Sequence, residues 1–328
     1  MYKRQFSSLS FINTANALDI VFAEDRPDLR TLDPRITQSR HEEMLIVNMF
    51  DQLISADSEG NIYPGLATSW DVSSDGLEYT FSLRDDVSFH DGTKFNAAAV
   101  KATFDSIVDP ETGSQGAVDI LGPYKETIVI DDFTAKVVFE RRYGSAITAF
   151  TETELSIVSP TALDKLGNEG FGMAPVGTGP FMFKNWEANK KVELVRNPDY
   201  NWAPEYMDGS GPSQVANLTY RLIKDTSTRV AALEAGEVDI AELVPPLDMR
   251  RFDSSGDLST VTGTVSGLPY SAFLNTTTGV FQDINVRKAF FHSLDRVKMT
   301  SDLFFGYAEA AFGPITVSYT HLTLPTRS

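Results

Sequence analysis

The segment from Gly65 to Asp105 constrains the fold of this chain more than any other stretch. Residues 79–84 (YTFSLR) alternate large apolar with polar side chains, which is the two-residue period of a half-buried strand. Turn-forming Asp and Gly residues at 74–76 and 90–92 predict turns on both sides of that strand. Asn96 is placed to cap a helix that follows. The apolar face of that helix is formed by Val100, Phe104 and Ile107.

Composition excludes several classes of function. The 328 residues are enough for two domains or for one large one. The formal net charge of −17 disfavours nucleic acid or an anionic membrane surface as a partner. The absence of cysteine excludes disulfides, thiolate metal sites and a lipid-modified cysteine anchor.

The two ends of the chain differ from the sequence between them. The DNA sequence TATAAGAGACAG encodes residues 2–5, and GTCTCTTATACACATCTGACGCTGCCGACG encodes residues 317–326. These are the two orientations of a transposase end used in sequencing libraries, so we expect residues 1–5 and 317–328 to be adaptor-derived, and the chain to be truncated at its C-terminus. A native variable tail is the alternative. Such segments are excluded from fold reasoning.

Residues 6–17 (FSSLSFINTANA) are typical of the end of a secretion signal. They close on Ala15-Asn16-Ala17, a small-residue cleavage pattern. We therefore expect a signal-peptide remnant, a mature chain that starts at Leu18, and a periplasmic or other extracytoplasmic location. An unstructured N-terminus is the alternative.

Ordered motifs along the chain resemble family 5 of the extracytoplasmic solute-binding proteins, the peptide, dipeptide and nickel receptors of ABC importers. The matching positions in the opening segment are Leu66-Ala67, Ser69-Trp70, Asp75-Gly76, Thr80-Phe81, Leu83-Arg84, Val87, Phe89, Asp91-Gly92, Ala98 and Val100. Later matches are GTGPF at 177–181, Arg196-Asn197, and VRKAF at 286–290. The resemblance extends over about residues 18–315.

The resemblance implies an α/β, periplasmic-binding-protein-like two-lobed fold of the cluster C type, with an extra α/β subdomain in lobe I. We expect lobe I at residues 18–265, with the inserted subdomain at about 45–165, and the start of an incomplete lobe II at 266–316. Independently, the strand, helix and strand pattern from Leu218 to Ala241 predicts a parallel α/β layer.

Other patterns predict further elements. We expect a first strand at 18–23 and an amphipathic helix at 41–53 whose apolar face includes Val47. A helix at 226–235 is expected to be capped by Thr226 or Ser227. The resemblance implies a strand at 270–277. His90 is expected at the surface, in a turn beside Asp91.

The candidate ligand-binding residues come from the resemblance. In the family, the residues after the "LDP" motif, here at 32–34, lie at the mouth of the cleft. The matching positions are Thr37, Gln38, Ser39 and Arg40. Arg40 could pair with a carboxylate through its planar guanidinium, or be a solvated loop charge. Asn275 and Thr276 lie in the strand that leads into the second lobe and complete the set.

No catalytic motif is present. His41, His90 and His292 lie in different predicted elements, and neither H-E-x-x-H nor G-x-S-x-G occurs. Acidic pairs such as Asp85-Asp86 fall in turns, where Asp is common. We therefore predict no enzyme, no catalytic or metal-ligating residues and no cofactor.

These observations lead to one expected function and two alternatives. The chain is expected to be the receptor of an ABC importer, to bind a small peptide between two lobes, and to deliver it as a monomer to the membrane permease subunits. A receptor for nickel or a metal chelate is the first alternative, for which the "LDP" region offers only Arg40 and His41. A secreted hydrolase is the second.

Overall fold

The structure, a computed structural model, describes residues 18–25, 29–207, 209, 211–263, 271–311 and 313. The expectations for residues 1–17 and 317–328 lie outside the described residues. The chain divides into a first unit that ends at Glu242 and a second that begins at Leu243. The lobe boundary at 265/266 and the subdomain bounds stay predictions.

The described residues form the following strands and helices. The strands are β1 Leu18–Glu24, β2 Ile54–Ala56, β3 Ile62–Pro64, β4 Ala67–Val72, β5 Glu78–Leu83, β6 Tyr124–Asp131, β7 Thr134–Phe139, β8 Phe181–Glu187, β9 Lys191–Arg196, β10 Val215–Leu222 and β11 Ile240–Ala241. The α-helices are α1 Arg40–Ile46, α2 Ala97–Val108, α3 Gly116–Leu121, α4 Ala146–Ala149, α5 Pro160–Met173, α6 Thr226–Glu234, α7 Pro246–Ser255, α8 Ile284–His292 and α9 Arg296–Phe304. Single turns of 3-10 helix lie at Pro110–Thr112, Thr153–Leu155 and Val280–Gln282.

The main sheet of the first unit has the strand order β11-β1-β10-β9-β8. Strand β1 is parallel to both β10 and β11, and the remaining neighbours are antiparallel. Helix α6 connects β10 to β11, which confirms the predicted parallel α/β layer. The core on this sheet includes Leu45, Phe171 and Leu194, all fully buried.

A second, antiparallel sheet has the order β4-β5-β7-β6 and packs against α2. The Oδ1 atom of Asn96 accepts a hydrogen bond from the Ala99 N–H at 3.1 Å, so the predicted cap is confirmed. The predicted apolar face of α2 is also confirmed: Val100, Phe104 and Ile107 are buried. The ring of Phe81 on β5 and the ring of Phe104 on α2 both pack against the ring of Phe150.

Helix α1 is shorter than predicted. It ends at Ile46, and Val47, expected on the apolar face, is 47% exposed. The cause is a distant segment: the Gly179 N–H donates to the Met49 carbonyl and the Phe181 N–H to the Asn48 carbonyl. The chain after Ile46 therefore bonds to the GTGPF segment instead of continuing as a helix.

Two smaller predictions are also wrong. Asp225, and neither Thr226 nor Ser227, caps α6, with its Oδ1 accepting from the Thr228 N–H at 2.8 Å. Residues 271–277, the described part of the strand expected at 270–277, form no strand.

The second unit consists of helices in its described part. Among the residues of α8 and α9 none is buried, while Phe291, Leu303 and Phe304 are exposed. The Tyr307 hydroxyl donates a hydrogen bond to the carboxylate of Asp253, which lies in the last turn of α7. Over the described residues, no helix has the length and apolar character that a membrane span requires.

Candidate functional site

Acidic groups lie where the parallel strands of the main sheet end. Glu24 is the last residue of β1, and Glu242 directly follows β11, the parallel neighbour of β1. In open α/β sheets, ligands bind outside the carboxyl ends of the strands. Asp25 continues from β1 into the same region, and α1 brings His41 to it. We call Glu24, Asp25, His41 and Glu242 the strand-end cluster.

The ring of His41 lies at the centre of the strand-end cluster. Its Nδ1 atom is 2.5 Å from Glu24 Oε1, 3.5 Å from Asp25 Oδ1 and 3.6 Å from Glu242 Oε1. The Asp25 N–H donates to Glu242 Oε1 at 3.2 Å, which ties the end of β1 to the end of β11. One potential ligand atom from each of the four residues lies within 4.8 Å of the other three.

The strand-end cluster is electrostatically unusual. Burial first, and then the carboxylate of Glu242, raises the pKa of Glu24 far above its ordinary value. Arg229 opposes this rise, but its guanidinium also donates to the backbone carbonyls of Glu242 and Ile223. The carboxylates of Glu24, Asp25 and Glu242 thus all lie near the imidazole of His41 at this edge of the sheet.

The predicted loop residues begin next to this cluster. Arg35, fully buried, donates to both carboxylate oxygens of Asp33 and so fixes the "LDP" turn. Thr37 is also buried, and its hydroxyl donates to Glu42 Oε2 at 2.7 Å. Its side chain therefore holds the loop against α1, and its N–H donates to the Asp33 carbonyl. Contact of Thr37 with a ligand stays a prediction.

The other three loop positions are more accessible. Gln38 is exposed, and its Nε2 donates to Gln115 Oε1 at 2.8 Å. Ser39 is half-buried and precedes α1 without a side-chain capping bond. Arg40 is exposed. The structure thus keeps Gln38, Ser39 and Arg40 together on an accessible edge beside His41.

Asn275 and Thr276 belong to the second unit and are exposed. The Oδ1 atom of Asn275 accepts from the N–H of Thr277 at 3.0 Å and from that of Thr278 at 3.3 Å. Asn275 therefore closes a local turn, which is a frequent role of this residue type. Contact of Asn275 and Thr276 with a ligand stays a prediction.

An open cavity of about 320 Å³ is lined in part by Asp119 and Ile120 of α3. Gln115, the partner of Gln38, directly precedes this helix. The residues lining the cavity are Asp119, Ile120, Tyr143, Ser145, Thr148, Ala149 and Glu152. The two charged side chains of this lining are both carboxylates, and hydroxyl groups supply most of the remaining polarity.

The acidic character continues from the cavity to α1. Partial burial, followed by the charge of Glu154, raises the pKa of Glu152. Partial burial and the same Glu154 raise the pKa of Glu43, and Arg40 opposes that rise. Arg40 is therefore a cationic group beside an acidic surface.

His90 corrects another expectation in part. It is half-buried, and its Nε2 lies 2.9 Å from the Gly179 carbonyl oxygen. Burial lowers the pKa of His90 to about 4, so the ring is neutral at physiological pH. The predicted turn is present and Asp91 in it is exposed, but His90 itself is bonded to the GTGPF segment through its N–H and its ring.

Sequence reasoning missed most of the strand-end cluster. His41 was noted, but Glu24, Asp25 and Glu242 were not, although Glu24-Asp25 directly follow a predicted strand. Glu242 likewise follows the strand predicted at 238–241. The carboxyl-end rule for parallel strands, applied to both, would have brought these carboxylates together.

Comparisons with known proteins agree with this architecture. Residues 61–326 match the family of bacterial extracellular solute-binding proteins, family 5 Middle. The glutathione-binding protein GsiB of Escherichia coli strain K12 is 30% identical over 305 residues, which are 92% of this chain and 57% of that protein. This chain therefore belongs to family 5 of the bacterial extracellular solute-binding proteins, and it spans a little over half the length of the curated relatives it matches.

Solved structures show the same fold. The periplasmic binding protein DppA from Helicobacter pylori, in complex with the peptide STSA, has a TM-score of 0.75 and 26% identity, over 90% of this chain and 60% of DppA. NikZ from Campylobacter jejuni, in complex with Ni(L-His), has a TM-score of 0.75 and 23% identity, over 90% of this chain and 57% of NikZ. The fold is the α/β fold of periplasmic binding proteins, as the sequence predicted.

Proposed function

We propose that this chain is part of the solute receptor of an ABC importer and that its solute is a short peptide. The observation that carries the proposal is the accessible edge formed by Gln38, Ser39 and Arg40, which is adjacent to His41 of the strand-end cluster and bonded through Gln115 to the start of α3. This edge lies at the carboxyl end of the parallel strands, where ligands bind in such sheets. Membership in family 5 supports it.

The charges on this edge suit a zwitterionic solute. Arg40 is a planar cation suited to a peptide carboxylate, and it is exposed. Asp119 and Glu152, in the lining of the neighbouring cavity, are suited to an ammonium group. A peptide carries both charges, whereas a simple anion or cation would use only one side.

The implied mechanism is binding without chemistry. Two lobes close by a hinge motion on the solute, and closure is favoured only by contacts that are better in the closed state. The closed receptor, outside the cytoplasm, then delivers the solute to the permease subunits. The known ligands of relatives differ: GsiB is named for glutathione, and DppA was solved with STSA.

Calorimetry on the protein expressed from its intact gene tests this proposal. Di- to tetrapeptides are titrated, and we expect saturable heat with at least one of them. The 328-residue chain is expected to bind the same peptide more weakly. Absence of heat with every peptide would contradict the proposal.

A metal chelate is the second candidate solute, favoured by the proximity of His41 to the predicted loop. The same calorimetry therefore includes the nickel complex of L-histidine. Heat from this complex, with none from any peptide, would replace the peptide proposal by the chelate one.

A further inference from the structure

The strand-end cluster assembles from three separate parts of the chain. Glu24 and Asp25 end β1, His41 lies in the first turn of α1, and Glu242 follows β11 more than two hundred residues later. Three carboxylates and one imidazole thus offer four ligand atoms within 4.8 Å of one another. All four residues belong to the first unit.

The cluster contains buried oxygen atoms with no hydrogen-bond donor. The side chain of Glu24 is 0% exposed; its Oε1 faces His41, and its Oε2 has no donor. The Oδ1 atom of Asp25 is likewise buried without a hydrogen bond. Buried polar atoms are nearly always paired, because leaving them unpaired costs free energy. The lack of hydrogen-bond partners at these two oxygens is evidence for a ligand that does not depend on the number of acidic residues in the cluster.

Positive charge near the cluster is already engaged. Arg229 is buried beside it, but its Nε donates to the Glu242 carbonyl at 2.9 Å and one Nη to the Ile223 carbonyl at 2.8 Å. His41 and Arg229 both lie beside the cluster, but neither donates a hydrogen bond to the two orphaned oxygens. A bound cation would coordinate these oxygens.

The donor set selects a class of ion. One imidazole nitrogen with carboxylate oxygens suits divalent first-row transition metals, whereas Ca²⁺ and Mg²⁺ prefer oxygen ligands alone. The cluster is also reachable from solvent, since the side chains of His41, Asp25 and Glu242 are 20%, 25% and 16% exposed. An ion can therefore enter without unfolding the sheet.

We propose that Glu24, Asp25, His41 and Glu242 bind a divalent first-row transition-metal ion at the carboxyl ends of β1 and β11. The ligands are side chains of the protein, so the site does not depend on which solute the receptor carries. An ion here would also join the end of β1 to the end of β11, next to the loop that holds Arg40.

The test uses the 328-residue chain after treatment with EDTA and dialysis. Zn²⁺, Mn²⁺ and Ni²⁺ are titrated by calorimetry, with Mg²⁺ and Ca²⁺ as comparison ions. We expect one equivalent of at least one transition ion to bind, and Mg²⁺ and Ca²⁺ to bind at least tenfold more weakly. At one hundred times Kd, the ion is expected to raise Tm by roughly 5 °C.

Two variants locate the site. Glu242→Gln and His41→Gln each remove one ligand at a partly exposed position, and each is expected to weaken binding at least tenfold and to abolish the shift in Tm. Asp71→Asn, an exposed carboxylate on β4, and His292→Gln, an exposed histidine, are the matched controls and are expected to bind as the unmodified chain does.

Three outcomes would overturn the proposal. Absence of stoichiometric binding would show that the carboxylates instead share protons. Equal binding by the ligand variants and the controls would place the metal elsewhere on the acidic surface. Stabilisation by methylammonium chloride that is lost in Glu242→Gln, without metal binding, would identify the cluster as a subsite for an ammonium group.

Discussion

The indole Nε1–H of Trp202 donates to Asp51 Oδ2 at 2.9 Å across 151 positions of sequence. Asp51 is a buried carboxylate that also accepts from the hydroxyls of Thr178, at 2.8 Å, and Tyr200, at 3.2 Å. It thereby joins the segment after α1 to the GTGPF turn and to the chain after β9.

Removing the Asp51 carboxylate is expected to lower the free energy of unfolding strongly. Asp51→Ala leaves three buried donors without an acceptor, at a cost of about 3 kcal/mol or more. Urea denaturation measures this loss. Asp71→Ala, at an exposed position of β4, is the control, and an equally small effect of both substitutions would show that the donors find other partners.

The close approach of the GTGPF segment to residues 48–50 predicts a second stability effect. A Cβ on Gly177 would lie 2.1 Å from the Met49 carbonyl oxygen, and a Cβ on Gly179 2.5 Å from the Met49 carbonyl carbon. Because both contacts are with backbone, Gly177→Ala is expected to lower the free energy of unfolding by about 3 kcal/mol. Gly144→Ala, which meets nothing within 4 Å, is expected to change it by less than about 0.5 kcal/mol. Equal midpoints in urea for the two variants would contradict the packing described here.

His90 predicts loss of stability in acid. Its pKa is lowered to about 4 in the folded chain, against 6.5 ordinarily, so between these values the unfolded chain binds a proton that the folded chain does not. This contribution to stability is complete above about pH 6.5 and is lost as the pH falls to 4, by up to about 3 kcal/mol.

Urea denaturation at pH 7.5 and pH 5 measures this effect. His90→Asn retains a donor for the Gly179 carbonyl but does not titrate, so its stability is expected to fall less on acidification than that of the unmodified chain. His292→Asn, at an exposed position, is the control. The prediction fails if His90→Asn and the unmodified chain lose the same stability.

The second unit is expected to exchange its amide hydrogens rapidly. Helices α8 and α9 bury none of their residues, whereas α2 buries six, which are Ala97, Ala99, Val100, Thr103, Phe104 and Ile107. Local opening costs little free energy where few apolar contacts break. Hydrogen–deuterium exchange is therefore expected to be at least about 100-fold faster in α8 and α9 than in α2. Equal protection would show that the second unit has a core of its own.

The proposed peptide site gives a binding prediction for Arg40. In the protein expressed from its intact gene, Arg40→Ala is expected to weaken peptide binding by about tenfold, because a charge-assisted bond to the peptide carboxylate is lost. Arg30→Ala, at an exposed position of the same loop, is the control. Unchanged affinity in Arg40→Ala would make this arginine a solvated loop charge.

Local signals in the sequence were sufficient for much of the fold. Asn96 was identified as a cap because it is a good capping residue directly before the apolar-periodic stretch that forms α2, and its Oδ1 accepts from the Ala99 N–H. Strand β5 followed from its alternation. The length of α1 was not predictable in this way, because Gly179, about 130 residues away, takes the carbonyl that would have continued the helix.

The candidate site was predictable only in part, for the same reason. Positions 37–40 follow a motif that is contiguous in sequence. The strand-end cluster and the cavity at α3 depend on long-range strand pairing and on packing between helices. No local pattern places Glu242 next to Glu24.

The most direct test of the account concerns the fate of a bound peptide. The protein expressed from its intact gene is incubated with a mixture of di- to tetrapeptides, separated by gel filtration, and the retained material is identified by mass spectrometry. The account predicts that intact peptides are retained in stoichiometric amount and that none is cleaved. Appearance of hydrolysis products, or retention of no peptide at all, would contradict it.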